Sequence, residues 1–470
     1  MAMREPLSNT PPRPTPMGLA GRQVLVLGLG ESGLSAAKWI AQQGGKVRGA
    51  DSRAQPPQAA AFREALPWAE LRCGRFQSSL LKGAEIVCVS PGLSLAEPLV
   101  AEAIARGLPI VGDIELFAWA VRGHFAARVL AVTGTNGKST VTALTGHLLR
   151  EAGIDAEVAG NIGPAALDAL MTPRERPPAV WVLELSSYQL ETTWSLEPEA
   201  AAMLNLSEDH LDRYAGLAEY AAAKARAFLG GGAQVLNRCD SSSMSMALPD
   251  RSQVTFGMDT PPMPEDFGIA QGWLCRGQEK ILQEREFPLS GAHNLSNALA
   301  ACALAHQAGA PLASLARGLR SFRGLPHRME RVVLRAGIEW LDDSKGTNVG
   351  ATVAALGGLA PAPGGLPRKA VLILGGEGKG QNFAPLAPAV RERARHVLLI
   401  GRDAARIEKA LAGTQVPAER CASLEAAVAR AADIAQPGDA VLLSPACASF
   451  DMFRDYKQRG EAFASAVRAL

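Results

Sequence analysis

Residues 129–150, VLAVTGTNGKSTVTALTGHLLR, constrain this chain more than any other stretch. Val129 to Val132 form a short apolar run suited to a buried parallel strand. Gly134, Thr135, Asn136 and Gly137 make a tight turn. Lys138, Ser139 and Thr140 then open a helix whose apolar residues fall at Val141, Leu144 and Leu148. In such a unit the backbone N–H groups converge, the helix dipole favours negative charge, and a lysine can span two phosphates. The hydroxyl after the lysine is a natural ligand for Mg²⁺. The stretch departs from a strict GxxxxGK[ST] pattern at Val132, where the first glycine would stand. It is read as the phosphate site for ATP, set in an α/β fold around a parallel sheet.

A chain of 470 residues suggests about three domains. Lys plus Arg total 48 against 46 acidic residues, a balance that gives no electrostatic case for nucleic acid or an anionic membrane surface. The seven cysteines are scattered without a CxxC pair, which fits a reducing cytosol better than a disulfide framework or a zinc site. No apolar run approaches the roughly 18 residues of a membrane helix. The proline-rich residues 1–18 lack the apolar centre of a secretory signal and are expected to be a disordered tail.

Residues 19–117 read as a small Rossmann-like parallel sheet. Val24 to Leu27 lead into Gly28-Leu-Gly30-Glu-Ser-Gly33 and a helix from about Ser32 to Gln43. A second strand, Val47 to Ala50, ends at Asp51. On paper this is a dinucleotide fingerprint with an acid for a ribose, and an NAD-dependent dehydrogenase is one reading of it. Such turns also serve UDP and other nucleotides, or only the close packing of helix on strand. Further strands run into Ser90-Pro91-Gly92 and Gly112-Asp113.

Residues 118–324 form the central, P-loop ATPase-type α/β domain. Gly160-Asn161-Ile162-Gly163 is a second glycine-flanked polar loop, and Val180 to Leu183 form a strand ending in Glu184. A carboxylate leaving that strand is placed to hold a nucleotide's Mg²⁺, or to serve as a first-turn helix acid. The run Glu208-Asp-His210-Leu-Asp212 suggests a metal or phosphate site, although a lone histidine is more often a packed residue. Lys224 lies on an alanine-rich helix, Leu217 to Leu229, where it would pair with phosphate, be solvated, or be converted to a carbamate. Asn294 and Asn297 open another helix and either read a base edge or cap it.

In residues 325–470, a Rossmann-like α/β domain, a hairpin region precedes Asp342-Asp343-Ser344-Lys345-Gly346-Thr347-Asn348. Three further strands deliver loops at Gly375–Lys379, Gly401–Asp403 and Ser444–Phe453. Open parallel sheets collect ligands at such edges, so one site assembled between the domains is the economical reading.

Taken in order, GTNGKST at 134–140, GNIG at 160–163, ELSSYQLE at 184–191, EDHLDR at 208–213, GAHNLSN at 291–297, LPHRME at 325–330, DDSKGTN at 342–348 and SPACASFD at 444–451 resemble the Mur ligases of peptidoglycan synthesis. The likeness spans nearly the whole chain after the tail. Among these ligases the chain resembles the branch that joins D-glutamate to UDP-N-acetylmuramoyl-L-alanine; the DNPR motif expected of the meso-diaminopimelate branch is absent, and DDSKGTN and SPACASFD stand instead. The resemblance implies a cytoplasmic, monomeric ATP-dependent ligase working through an acyl phosphate, with two Mg²⁺ ions and CO₂ for lysine carbamylation. It implies that Lys138 holds the β/γ-phosphates within the turn Gly134, Thr135, Asn136, Gly137, Ser139 and Thr140. Ser139 and Glu184 would serve one Mg²⁺; His210 and a carbamylated Lys224 would serve the other. Asn294, Asn297, Arg328, Asp343 and Lys345 would hold the rest of ATP. Glu31, Ser32, Asp51, Ser52, Arg53, Ser90 and Gly92 would hold the uridine diphosphate end, with Asn161 and His210 at the reacting end. Thr347, Lys379, Ser449 and Tyr456 would hold the D-glutamate carboxylates. The chain departs from the family pattern at Glu31, an acid near a diphosphate; at Gly346, where alanine is usual; and at Tyr456, where phenylalanine is common.

Overall fold

The computed structural model describes residues 11–124, 128–210, 212–361 and 368–470. Of the expected tail, residues 1–10 lie outside the described residues, and 11–18 carry no helix or strand. The described chain forms three sheets, each with helices against it.

The first sheet holds Gln23–Leu27, Lys46–Asp51, Glu70–Cys73, Ile86–Val89 and Ile110–Val111, all parallel, in the spatial order third, second, first, fourth, fifth. Val24 and Val26 face one apolar cluster while Leu25 and Leu27 face another. A strand covered on both sides reads as an unbroken apolar run rather than an alternating one. The strand order reverses beside Gln23–Leu27, and there the Gly28–Gly33 turn leads into the helix Glu31–Gln42. A Cβ at Gly33 would sit 1.9 Å from the Gly28 carbonyl oxygen. The last glycine of that fingerprint is therefore required by the packing of helix on turn.

The central sheet has nine strands. Seven are parallel, in the order Ala156–Gly160, Val180–Glu184, Arg128–Thr133, Ala200–Met203, Ala233–Asn237, Gln253–Phe256, Phe267–Ala270. Trp273–Arg276 and Glu279–Gln283 extend it antiparallel. Because Arg128–Thr133 lies between Val180–Glu184 and Ala200–Met203, the phosphate turn, Glu184 and the segment from Leu204 leave the sheet side by side. Leu130 and Val132 pack against the helices Lys138–Glu151, Ala292–Gln307 and Leu312–Ser321. Ala131, Leu183 and Met203 face the other way and share a core with Trp39 and Phe117 of the N-terminal region. Phe117 meets Trp181 edge-on at 5.2 Å between ring centroids. The alanine-rich helix is shorter than expected, Leu217–Ala225, with a tighter turn over Arg226–Phe228. Arg226 is held there by the Leu190 carbonyl at 2.6 Å.

The last sheet begins with the hairpin Glu330–Arg335 and Ile338–Asp342, then adds Ala440–Leu443, Ala370–Gly375, Ala394–Ile400 and Ala418–Arg420 in parallel. Leu372 and Leu374 lie in one apolar cluster, Val371 and Ile373 in another. Neither cluster includes residues of the central sheet. Polar side chains bridge the two regions instead.

Candidate active site

The strand Arg128–Thr133 ends in the turn 134–137, and Gly137, at φ 85°, caps the helix Lys138–Glu151. A side chain there would be strained in that backbone, and its Cβ would lie 2.4 Å from Asn297 Oδ1. Asn297 therefore lies directly over the phosphate turn. Asn136 N–H donates to Asn205 Oδ1 at 2.8 Å, and Asn205 Nδ2 returns a bond to the Asn136 carbonyl at 3.0 Å. This pair of amides sets the shape of the turn. Lys138 Nζ folds back to the carbonyls of Gly134 (2.9 Å) and Thr135 (2.8 Å). Burial pushes its ammonium below the ordinary lysine value, with Glu184 and Asp209 opposing that shift.

Glu184 is 1% exposed. Its Oε1 accepts from Asn161 Nδ2 at 2.8 Å, while Oε2 is buried with no hydrogen-bond partner. Burial works against the charge, but Lys138, the Ser139 hydroxyl and Asn161 hold the carboxyl below its usual range. A buried, ionised, half-unpaired oxygen beside a lysine and a serine hydroxyl fits a hard divalent cation. His210 sits in left-handed backbone (φ 56°), its Nδ1 2.7 Å from Tyr188 OH. Burial pushes it down to about 4 against the pull of Asp209, so the imidazole is neutral near pH 7. Lys224 is 1% exposed and donates to the Gly134 carbonyl at 2.8 Å. Burial, together with Lys138, drives its amine well below the ordinary value. Both lysines thus converge on one backbone oxygen of the turn.

The last sheet supplies the opposite wall. Arg328, between His327 (φ 60°) and Met329 (φ 50°), donates from Nη2 to Ser139 Oγ at 2.8 Å. His327 Nδ1 and Asp342 Oδ2, 2.7 Å apart, fix that segment. With Glu330 they gather as a metal-type cluster, but the hydrogen bond already accounts for their closeness. Lys345 lies 3.9 Å from the centre of the Tyr456 ring, and burial with Arg328 lowers it to about 8. Asp343 accepts from Ser444 Oγ at 2.7 Å, and burial raises it to about 7. A cavity of about 1070 Å³ joins these walls. It is lined by Thr135, Asn136, Gly137, Lys138 and Thr140 from the turn, with Asn161, Glu184 and His210 beside them. Asn294 and Asn297 line it from the helix, and Arg328, Asp343, Lys345, Thr347 and Lys379 from the last sheet. Gly134, Ser139 and Lys224 lie directly behind that lining, through the contacts given above. Ser449 and Tyr456 do not line it; Ser449 is 3% exposed and Tyr456 stacks behind Lys345.

The residues expected to hold a uridine diphosphate end do not line that cavity and sit at the C-terminal edge of the first sheet. Asp51 is 1% exposed. It accepts from Leu29 N–H at 2.7 Å and from Arg53 through N–H at 2.9 Å, Nε at 2.8 Å and Nη2 at 2.6 Å. Both its oxygens are committed to protein donors. Glu31 is exposed in the first turn of its helix, and Ser90 packs against Gly28 and Gly33 beside Ser32. Arg213 ties this edge to the centre, donating to the carbonyls of Pro91 (2.8 Å) and Leu93 (2.9 Å) and pairing with Glu191. Ser52 and Gly92 lie on the same two loops.

Three family models match the chain: the Mur ligase MurD-like N-terminal domain over residues 22–112, the Mur ligase middle domain over 132–305, and the Mur ligase glutamate ligase domain over 327–447. The UDP-N-acetylmuramoylalanine–D-glutamate ligase of Nitrosospira multiformis is 53% identical over 464 residues, covering 97% of each chain. That of Thiobacillus denitrificans is 52% identical over 466 residues, covering 96% of this chain and 97% of its own. The chain belongs to the Mur ligase family. The solved UDP-N-acetylmuramate–alanine ligase of Thermotoga maritima shares this fold at a TM-score of 0.61 with 19% identity, covering 95% of this chain and 99% of its own. MurF of Acinetobacter baumannii does so at 0.60 with 16% identity, covering 96% and 92%.

Within this Mur ligase the roles of three residues are not legible in the sequence. Asp209 and Asn348 lie inside motifs that were singled out, yet their partners come from another sheet. Tyr188, in ELSSYQLE, reaches His210. The acid–histidine–acid spacing was the available signal for Asp209.

Proposed function

We infer that this chain joins D-glutamate to UDP-N-acetylmuramoyl-L-alanine with cleavage of ATP, as a step in building peptidoglycan precursors. The observation that carries the reading is about 50% identity, over nearly the full length of both chains, to ligases named for that reaction. A carboxylate is a poor acyl donor because its charge repels nucleophiles and oxide leaves badly. Transfer of the γ-phosphoryl group to the L-alanine carboxylate gives an acyl phosphate. The amine of D-glutamate attacks that carbon, a tetrahedral intermediate forms, and its collapse expels inorganic phosphate. The protein's task is positioning, charge neutralisation and exclusion of water.

Lys138 is held at the mouth of the turn, where it would meet the β/γ-phosphates, and Arg328 and Lys345 bring further positive charge from the facing wall. Asn294 and Asn297 would hold the adenine, and Asp343 the ribose. Mg²⁺ held by Ser139 and Glu184, and a second ion held by His210 and Lys224, would neutralise phosphate charge. The unpaired Glu184 Oε2 and the neutral His210 support those assignments. A buried Lys224 amine with a lowered pKa is nucleophilic. It would add to CO₂, forming an N–C bond and releasing one proton, and the resulting carbamate would be an anionic ligand. Arg53, Ser32 and Ser90 would hold the uridine diphosphate end, with Asn161 reaching toward the acyl end. Thr347 and Lys379 would hold D-glutamate, with Ser449 and Tyr456 behind them. Action as a monomer belongs to the same reading, and the use of ATP and a nucleotide-linked precursor supports the cytoplasm. Among the described residues no helix is long and apolar enough to cross a membrane.

Phosphate release is expected with ATP, the UDP-muramoyl-alanine precursor and D-glutamate together, and not when any one is omitted. Turnover with meso-diaminopimelate in place of D-glutamate, or an NAD(H)-dependent absorbance change, would overturn the reading. Lys224→Ala is expected to lose activity by about 10²-fold or more, with partial recovery on adding short carboxylates. Undiminished turnover by that variant would remove the carbamate.

A further inference from the structure

Asp209 is 6% exposed and is the point on which two loops of the last sheet converge on the central one. Its Oδ1 accepts from Lys379 Nζ at 3.0 Å and its Oδ2 from Asn348 Nδ2 at 3.3 Å. Both donors stand on segments held by further hydrogen bonds. Asn348 caps the helix Val349–Gly357, its Oδ1 accepting from Ala351 N–H at 2.8 Å, so its amide nitrogen must face outward to Asp209 and to Asn136 Oδ1 at 3.0 Å. Lys379 stands in left-handed backbone (φ 49°). Its loop is pinned by Gln381, which accepts from Val349 N–H at 2.8 Å and donates to the carbonyls of Gly378 (3.0 Å) and Ala446 (3.1 Å). Asp209 itself is fixed from behind, because Oδ1 also accepts the His210 N–H at 2.9 Å.

An ammonium has three donors, and Asp209 is the acceptor that Lys379 has among the described residues. Lys379 and Thr347 line the cavity beside Asp209. A lysine tethered at one corner presents its remaining donors in a fixed direction. A free lysine on a four-carbon stem would have to lose that freedom on binding. We propose that Asp209 is a positioning residue for the amino-acid substrate: it anchors Lys379 across the seam between the central and last sheets so that the lysine's remaining N–H groups receive a carboxylate of D-glutamate. The anchor and the anchored group come from different sheets, so the amino-acid pocket is complete only when the last sheet has closed on the central one. The inference rests on the reading above, in which Lys379 meets D-glutamate.

The test is steady-state kinetics on the full chain for Asp209→Asn, Lys379→Met and the double variant, with the KM of each substrate measured separately. Lys379→Met should raise the KM for D-glutamate at least tenfold. Asp209→Asn, which keeps size and can still accept one bond, should raise that KM by a similar factor while the KM values for ATP and the precursor stay within about twofold. The double variant should be no worse than Lys379→Met, because the two side chains act as one unit. An unchanged D-glutamate KM in Lys379→Met would sink the assignment of that lysine, and with it the reading beneath the proposal. A normal KM in Asp209→Asn alongside an impaired Lys379→Met would overturn the anchor alone. So would penalties that multiply in the double variant, or an equal rise in all three KM values, which would mark a general structural role acting through His210. Unfolding midpoints and ATP-analogue affinity, measured on the same preparations, identify a variant that has simply lost its fold. In that case Asp209→Glu is the second variant, and a D-glutamate KM that it leaves at the wild-type value, despite the displaced anchor, would also overturn the proposal.

Discussion

Two turns in this molecule are built alike, and their surroundings give them opposite characters. Each follows a buried parallel strand, each carries a glycine at positive φ, and each opens a helix. At Gly28–Gly33 the protein supplies its own anion: Asp51 takes the Leu29 N–H and binds Arg53, so one negative and one positive side chain cancel. At Gly134–Gly137 basic side chains gather instead. Lys138 and Lys224 share the Gly134 carbonyl, Arg328 reaches Ser139, and Lys345 and Lys379 line the same cavity as Lys138. The carboxylates beside them are fewer, and one oxygen of Glu184 is unpaired. Glycine spacing says that a strand meets a helix closely; the charge around the turn decides what it can hold. The second turn is therefore the one proposed for a polyanion with its metal, and at the first turn Asp51 is already engaged by the Leu29 N–H and by Arg53.

The largest expected effect comes from removing the cation of the second turn. Lys138→Ala should lower kcat/KM by about 10²–10³-fold, the scale for losing one group that stabilises transferring charge. The matching change at the first turn, Arg53→Ala, should raise the KM for the UDP-linked precursor by about tenfold and leave the KM for ATP unchanged. Equal effects on ATP from both variants would erase the distinction.

Glycine substitutions sharpen the comparison next. Gly33→Ala drives a Cβ to 1.9 Å from a backbone oxygen, and backbone cannot move aside cheaply. A loss of about 3 kcal/mol is expected, read as a lower unfolding midpoint of the N-terminal region. In Gly137→Ala the Cβ meets the side chain of Asn297 at 2.4 Å in left-handed backbone. About 1–2 kcal/mol is expected, together with a raised KM for ATP, because Asn297 is displaced from above the turn.

These contrasts mark what the sequence makes legible. The units at 129–150, 24–51, 180–191 and 370–379 announce themselves because strands covered on both faces must be apolar throughout and then break at glycine or an acid. Phe267–Gln283 gives no such signal, since its last two strands extend the sheet antiparallel and its strands are joined by short reversals rather than ligand loops. Lys138, Glu184 and His210 are readable from local pattern. For Asp209 the acid–histidine–acid spacing marks the position but not the role, because its partner Lys379 follows 170 residues later. The same holds for Asn348, whose amide is oriented by a helix cap and only then meets Asn136. Spacing carries local chemistry, whereas a seam between sheets is set by tertiary packing.

The smallest expected effect concerns pH. Asp343 has its carboxyl raised from 3.8 to about 7, chiefly by burial. Between those values the folded state holds a proton that the unfolded state has lost, so this group lowers stability as pH rises, with the full penalty above about 7. Asp343→Asn keeps an acceptor for Ser444 and removes the charge. Its unfolding midpoint should rise by roughly a few degrees at pH 8 and match the wild type near pH 4, in melts without nucleotide. A lower midpoint at pH 8 would show that the ionised form is stabilised in place.

The most direct measurement is a crystal structure of the full chain with a non-hydrolysable ATP analogue and Mg²⁺. The triphosphate is expected across the 134–137 turn, against Lys138, with metal density between Ser139 and Glu184 Oε2. A nucleotide bound instead at the Gly28–Gly33 turn, with the cavity beside Lys138 empty, would contradict the account.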